Sequence, residues 1–130
     1  MQEISKSRLW TSYVLSAIPV LLLLMAVAFD LPKTDMGVKG AADLGYPENT
    51  VRVVGLFAFV SVALYILPRT AVLGAIVVSA YFGGAVATHI RAGQGVLMAL
   101  PAMFVCALAW IGLYLREPRL KELIPTRRRF

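Results

Sequence analysis

His89 and Arg91 follow directly on a stretch rich in small residues, Ala80-Tyr81-Phe82-Gly83-Gly84-Ala85-Val86-Ala87-Thr88. His89 is the only histidine in the 130-residue chain. Imidazole changes charge near neutral pH, so it can give or take a proton, while a guanidinium keeps its charge and orients an anion or a carbonyl. Two roles fit His89. It is either an interfacial residue bonded to a carbonyl or water, or a proton donor or acceptor to a lipid headgroup or a quinone carbonyl, oriented by Arg91. A lone histidine cannot bind haem as a bis-histidine pair within one chain. Arg52, Tyr46 and Asp30 join His89 and Arg91 as candidate ligand-binding residues. Asp30, Asp35, Asp43 and Glu48 are the acids available to pair with Arg52 or Arg91 and so to pin the segment that carries them.

Other chemistry is thinly represented. Cys106 is the single cysteine, which leaves no internal disulfide and no paired-thiol redox site. It shares a helical stripe with Ala102 and Ala109 and reads as a small buried hydrophobe. Trp110, Met103 and Tyr114 read as packing or lipid contacts. CxxC, HExxH, P-loop and GxGxxG spacings are absent, and no metal site is expected. None of the apolar runs carries an acid or base near its middle, the usual mark of a proton or ion pathway. An ion-coupled pump and catalysis at mid-membrane are therefore disfavoured, and the expected chain has no catalytic residue.

These side chains must be positioned by helices that cross a bilayer. Hydrophobic residues make up 59% of the chain and charged ones 15%, too little polar surface to clothe a soluble domain. The net charge of +6 gathers at helix ends and in the tail, which suits membrane topology and argues against a nucleic-acid partner. Spans are expected over about 9–29, 51–67, 71–90 and 96–115, each near the ~20 residues that cross a hydrocarbon core. Ala26-Val27-Ala28 imitates a signal-peptidase site, but the preceding apolar run exceeds the usual ~7–15 residues of a signal core, so it is taken as the first span. Pro47 suits a helix start, Pro68-Arg69-Thr70 a helix stop, and Pro101 a bend. Residues 34–43 have only a weak helical period. Residues 116–130 form a basic tail in which Leu120, Leu123 and Ile124 would rest on headgroups.

Lys6, Arg8, Arg69 and six tail residues lie on one side of this layout, against Lys33, Lys39, Arg52 and Arg91 on the other. Nine against four puts both termini in the cytoplasm and the 30–49 connection on the outer face. The expected fold is all-α, a single membrane domain over 1–130 built as an antiparallel four-transmembrane-helix bundle. In the third span, Ala75, Ser79, Gly83 and Ala87 form one stripe and Ala80, Gly84 and Thr88 another. Ser79, Gly83, Gly84 and Thr88 are the expected helix-packing positions, because small residues let backbones approach in lipid. The alternative is that the missing side chains leave room for a flat ligand.

Four segments of the chain resemble the DoxX-like family of small four-helix integral membrane proteins. Leu44-Gly45-Tyr46-Pro47-Glu48 resembles its LGYP entry to the second helix, and Leu67-Pro68-Arg69-Thr70 its PRT turn. Tyr81 to Arg91 is similar to its GGAVATHxR segment, and Leu113 to Leu120 to its LYLRDPRL ending. The resemblance implies a bacterial inner-membrane protein. Distant relatives are associated with thiosulfate oxidation feeding quinone, with a membrane oxidoreductase complex, and with receptor assembly. The chain departs from the pattern at Ala58, where relatives often carry an acid, and across Ala26 to Asp30, where many carry an aspartate and a lysine. The expectation is a non-catalytic or accessory subunit of a membrane redox system, touching quinone, an oxidoreductase or a second copy of itself. A membrane assembly protein without a redox ligand is the alternative.

Overall fold

A computed structural model describes residues 3–124. Among these the regular structure is entirely helical: α1 (Lys6–Asp30), α2 (Asp35–Asp43), α3 (Glu48–Ile66), α4 (Ala71–Arg91), α5 (Val96–Arg116) and α6 (Leu120–Leu123). The helices α1, α3, α4 and α5 are long and apolar enough to cross a membrane. They correspond to the four expected spans, with ends shifted by three residues or fewer.

The four pack in a ring, α1 against α3, α3 against α4, α4 against α5 and α5 against α1. Their shared core holds Leu23, Ala58, Val62, Tyr65, Ala75, Val78, Ala109 and Leu113. The outward surface is also apolar: Leu97 is 81% exposed, Phe104 66% and Val53 65%. A surface of this kind stabilises the fold only where hydrocarbon replaces water.

Close backbone approach occurs at glycines other than those expected. A Cβ on Gly55 would strike the backbone of Leu31 and Asp30, one on Gly74 the backbone of Tyr65, and one on Gly112 the hydroxyl of Ser16. Those three glycines seat α3 on α1, α4 on α3 and α5 on α1. Gly83 and Gly84, expected to pack, are exposed, with open space where a Cβ would stand. The physical reason is helical phase. The inward face of α4 is set by Ala71, Gly74, Ala75, Val78 and Phe82, and Gly83 and Gly84 fall just off it. Ser79 does pack, accepting a 2.6 Å hydrogen bond from Trp110 Nε1 and donating at 2.8 Å to the Ala75 carbonyl. Cys106 Sγ lies 3.5 Å from the same hydroxyl, so it is partly buried beside a polar group.

The Pro68 turn works through its neighbour. Pro68 stops α3, and Thr70 Oγ1 donates at 2.8 Å to the carbonyl of Leu64, which α3 leaves unpaired. Leu120 is 4% exposed and belongs to the core, so it does not rest on headgroups as expected; Leu123 and Ile124 are exposed. Arg127, Arg128 and Arg129 of the basic tail lie outside the described residues.

Candidate functional site

Three helix ends converge at the end of the bundle that carries α2, and all close in the same way. At each, backbone N–H groups beyond the helix bond back to its last carbonyls in a Schellman arrangement, which needs one residue in the left-handed region. For α2, Tyr46 N–H reaches the Ala41 carbonyl and Gly45 N–H that of Ala42, with Gly45 at φ 84°. For α4, Gln94 N–H reaches His89 and Gly93 N–H reaches Ile90, with Gly93 at φ 76°. For α1, Thr34 N–H reaches Phe29 and Lys33 N–H reaches Asp30, with Lys33 itself at φ 55°. A lysine there carries a steric cost that glycine escapes.

Thr34 joins the first two elements. Its hydroxyl donates to the Phe29 carbonyl at 2.7 Å and accepts from Gly37 N–H at 3.2 Å, capping α2 while holding the end of α1. A Cβ on Gly37 would strike the Phe29 carbonyl, so this glycine lets α2 lie directly against α1. The helix thus forms a short roof over the ends of α1 and α3.

Beneath that roof is a cavity of about 380 Å³. Phe29, Met36, Leu44, Val54, Phe57 and Tyr81 supply most of its wall, and Asp30, Tyr46, Thr88 and His89 its polar groups. Gly40, Ala41, Gly84 and Ala85 leave the space open. The exposed Gly84 of α4 therefore borders this open cleft, with room where a Cβ would stand, which fits the flat-ligand alternative for the small-residue stripes.

The expected site residues divide here. Asp30, Tyr46 and His89 stand on the cavity wall. Tyr46 Oη and Thr88 Oγ1 share a 2.7 Å hydrogen bond, which ties the connection after α2 to α4. His89 Nδ1 donates to Gln94 Oε1 at 2.6 Å, so the neutral ring keeps Nε2 as an acceptor. Arg91 and Arg52 do not line the cavity. Arg91 Nη2 donates to the Leu44 carbonyl at 3.1 Å with its guanidinium 5.9 Å from the Tyr46 ring centroid, and Arg52 Nε donates to the Leu31 carbonyl at 3.2 Å. Both arginines pin the 30–49 segment, but through backbone carbonyls and not through the expected carboxylates. Among the described residues the one ion pair is Lys33 with Glu48, at 3.5 Å.

The hydrophobic wall residues, Tyr81 above all, carried no signal in the sequence, since an aromatic within an apolar span reads the same whether it faces lipid or a void. Phe57 and Tyr81 meet edge to face at 5.5 Å between centroids, forming a firm aromatic corner. Among the described residues no cluster of His, Cys, Asp or Glu could hold a metal. The arrangement is suited to binding: an apolar slot closed by hydroxyls and an imidazole at one end.

Comparison with known proteins bears on the architecture. No curated protein and no solved structure matches the chain. The family model described as the DoxX-like family matches residues 14–112, which runs from within α1 through most of α5 and includes the roof helix and every polar residue of the cavity wall. The chain is a membrane protein of the DoxX-like family.

Proposed function

We propose that the cavity under α2 binds a lipophilic ring bearing a carbonyl, of the quinone class, and that the protein is a non-catalytic accessory subunit of a membrane redox system. The observation that carries this reading is the cavity itself. Its ~380 Å³ falls in the ~300–1,000 Å³ range of small-molecule sites, and its lining is apolar with a few polar groups gathered together. The Tyr46–Thr88 pair has two hydroxyl protons and uses one internally, which leaves one O–H donor for a ligand carbonyl. His89 Nε2 accepts from a hydroxyl on the reduced ring, or donates once protonated. Gly84 supplies the clearance that a flat ring needs beside α4. This reading places the chain in a bacterial inner membrane as an antiparallel bundle, with the α2 end on the outer face.

A second reading rests on a different observation. Ala80, Gly83 and Ala87 form an exposed strip along α4, and small residues of this kind let another helix approach in lipid. An oxidoreductase or a second copy of this chain would be the partner, and assembly alone would be the function.

Short-chain quinone binding to the purified protein in nanodiscs separates the two. Wild type is expected to bind, Gly84→Leu to lose binding by filling the slot without unfolding the bundle, and His89→Ala to weaken it. Absence of quinone binding together with a stable co-purifying membrane partner would favour assembly. Isotherms of Gly84→Leu and His89→Ala that overlay wild type would remove the cavity from consideration.

A further inference from the structure

At the opposite end of the bundle, a second cavity of about 410 Å³ lies between the start of α1, the end of α3 and the end of α5. Most of its lining is apolar, with Leu9, Val20, Ile66 and Leu113 among the wall residues, and Arg116 stands in that wall. A guanidinium set in the wall of an apolar cleft needs an account, because a charge there is costly unless it is partnered.

The protein fixes Arg116 by one nitrogen only. Nη1 donates to Ser16 Oγ at 2.5 Å and, at 3.4 Å, to Ser12 Oγ. Behind it runs a directed chain. Tyr65 Oη donates to the Ala109 carbonyl at 2.6 Å, so the 2.8 Å bond between Ser16 and Tyr65 has Ser16 as donor, and the Ser16 lone pairs face the guanidinium. Tyr65 is 1% exposed and Ser12 fully buried, so this support is rigid. The guanidinium carbon lies 5.2 Å from the Tyr65 ring centroid and 6.0 Å from that of Tyr13. The charge is thus held by hydroxyls and aromatic faces, all neutral. Among the described residues no carboxylate lies within 4 Å of it, and the neighbouring Glu117, also on the cavity wall, accepts instead from Arg119 N–H at 3.4 Å.

We propose that this cavity is a binding site for one anionic phospholipid, its phosphate on the free edge of the Arg116 guanidinium and an acyl chain in the apolar cleft. Nε and Nη2 make no hydrogen bond to the described residues, and together they form the edge that meets two phosphate oxygens side by side. The apolar cleft selects a lipid over free phosphate. Net negative charge is selected by the surroundings: Lys6, Arg8, Arg69, Arg119 and Lys121 at this end outnumber Glu3, Glu117 and Glu122. Arg8 reinforces this, since its Nε is buried with no hydrogen-bond partner and it lines a smaller pocket beside Lys121.

The test is lipid retention by the full chain, released from nanodiscs of equal phosphatidylglycerol and phosphatidylcholine and weighed by native mass spectrometry. Wild type is expected to keep one phosphatidylglycerol in preference to phosphatidylcholine. Arg116→Gln should abolish that preference. Arg116→Lys keeps the charge and the fold but not the two-pronged edge, and should weaken retention about tenfold. Lys39→Gln, at an exposed position of α2 at the other end of the bundle, should change nothing. Equal retention of the two lipids by wild type, or unaltered preference in Arg116→Lys, overturns the proposal. Displacement of the lipid by millimolar inorganic phosphate also overturns it, because the cleft would then contribute nothing.

Discussion

Tyr46 shows how one residue joins three tasks. Its hydroxyl bonds Thr88 on α4, its ring lies under the Arg91 guanidinium, and its backbone N–H closes α2. Tyr46→Phe keeps the ring and the backbone and removes one hydrogen bond, so it should cost ~0.5–1.5 kcal/mol by denaturant titration in detergent. Thr88→Ala should cost a similar amount, and the double variant should lose little more than either single one, because both remove the same bond. Strictly additive losses would mean that the bond contributes nothing to stability. The sequence identified Tyr46, Thr88 and His89 as residues of interest. It could not show that His89 binds Gln94 or that Arg91 and Arg52 seek carbonyls, because side-chain partners depend on loop paths that composition does not fix. Ser12, Ser16 and Tyr65 were missed altogether. Single hydroxyls inside apolar spans look unremarkable until the register between helices aligns them with Arg116.

Among the elements, the spanning helices were legible and their faces were not. Apolar runs near 20 residues bounded by charge, proline and glycine are one-dimensional information, and they located α1, α3, α4 and α5. Which glycine faces a neighbour is a matter of helical phase: within the chain Gly83 and Gly84 meet open space, while the close approaches fall at Gly55, Gly74 and Gly112, which were not among the expected packing positions. The contrast gives a direct measurement. Gly55→Ala forces α3 away from the backbone of Leu31 and should destabilise by ~1–3 kcal/mol. Gly84→Ala meets open space within a helix and should be neutral or stabilising by up to ~1 kcal/mol. Thermal unfolding in one detergent ranks the two, and the reverse order would mean that the helices are rotated from the arrangement described. The short helix α2 was only weakly signalled, because its nine residues are held by Thr34 and Gly37 more than by any apolar stripe. Thr34→Ala should therefore cost ~1 kcal/mol. It should also speed amide hydrogen exchange across 35–43 selectively, and unchanged exchange there would show that the cap does not hold the roof.

For the molecule as a whole, the two cavities divide along the axis of the bundle. One lies beneath the roof helix, with hydroxyls and an imidazole, and the other at the end where α1 begins and α5 finishes, with a guanidinium. Both proposals therefore rest on one orientation of the bundle, and a single topology measurement tests it. Among the described residues, Lys6, Arg8, Arg69, Arg116, Arg119 and Lys121 lie toward the end where α1 begins, against Lys33, Lys39, Arg52 and Arg91 toward the end that carries α2. Basic residues in short connections are retained in the cytoplasm, where anionic lipid also draws them. The end bearing Arg116 should accordingly be cytoplasmic and the cavity under α2 should open outward. A reporter active only outside the cytoplasm should be silent when fused after Phe130 and active when inserted at Gly40, which is exposed and has open space around its Cβ position. The opposite pattern would turn the bundle over and move the Arg116 cleft to the outer leaflet. Activity at both positions would break the even number of crossings on which the whole arrangement depends.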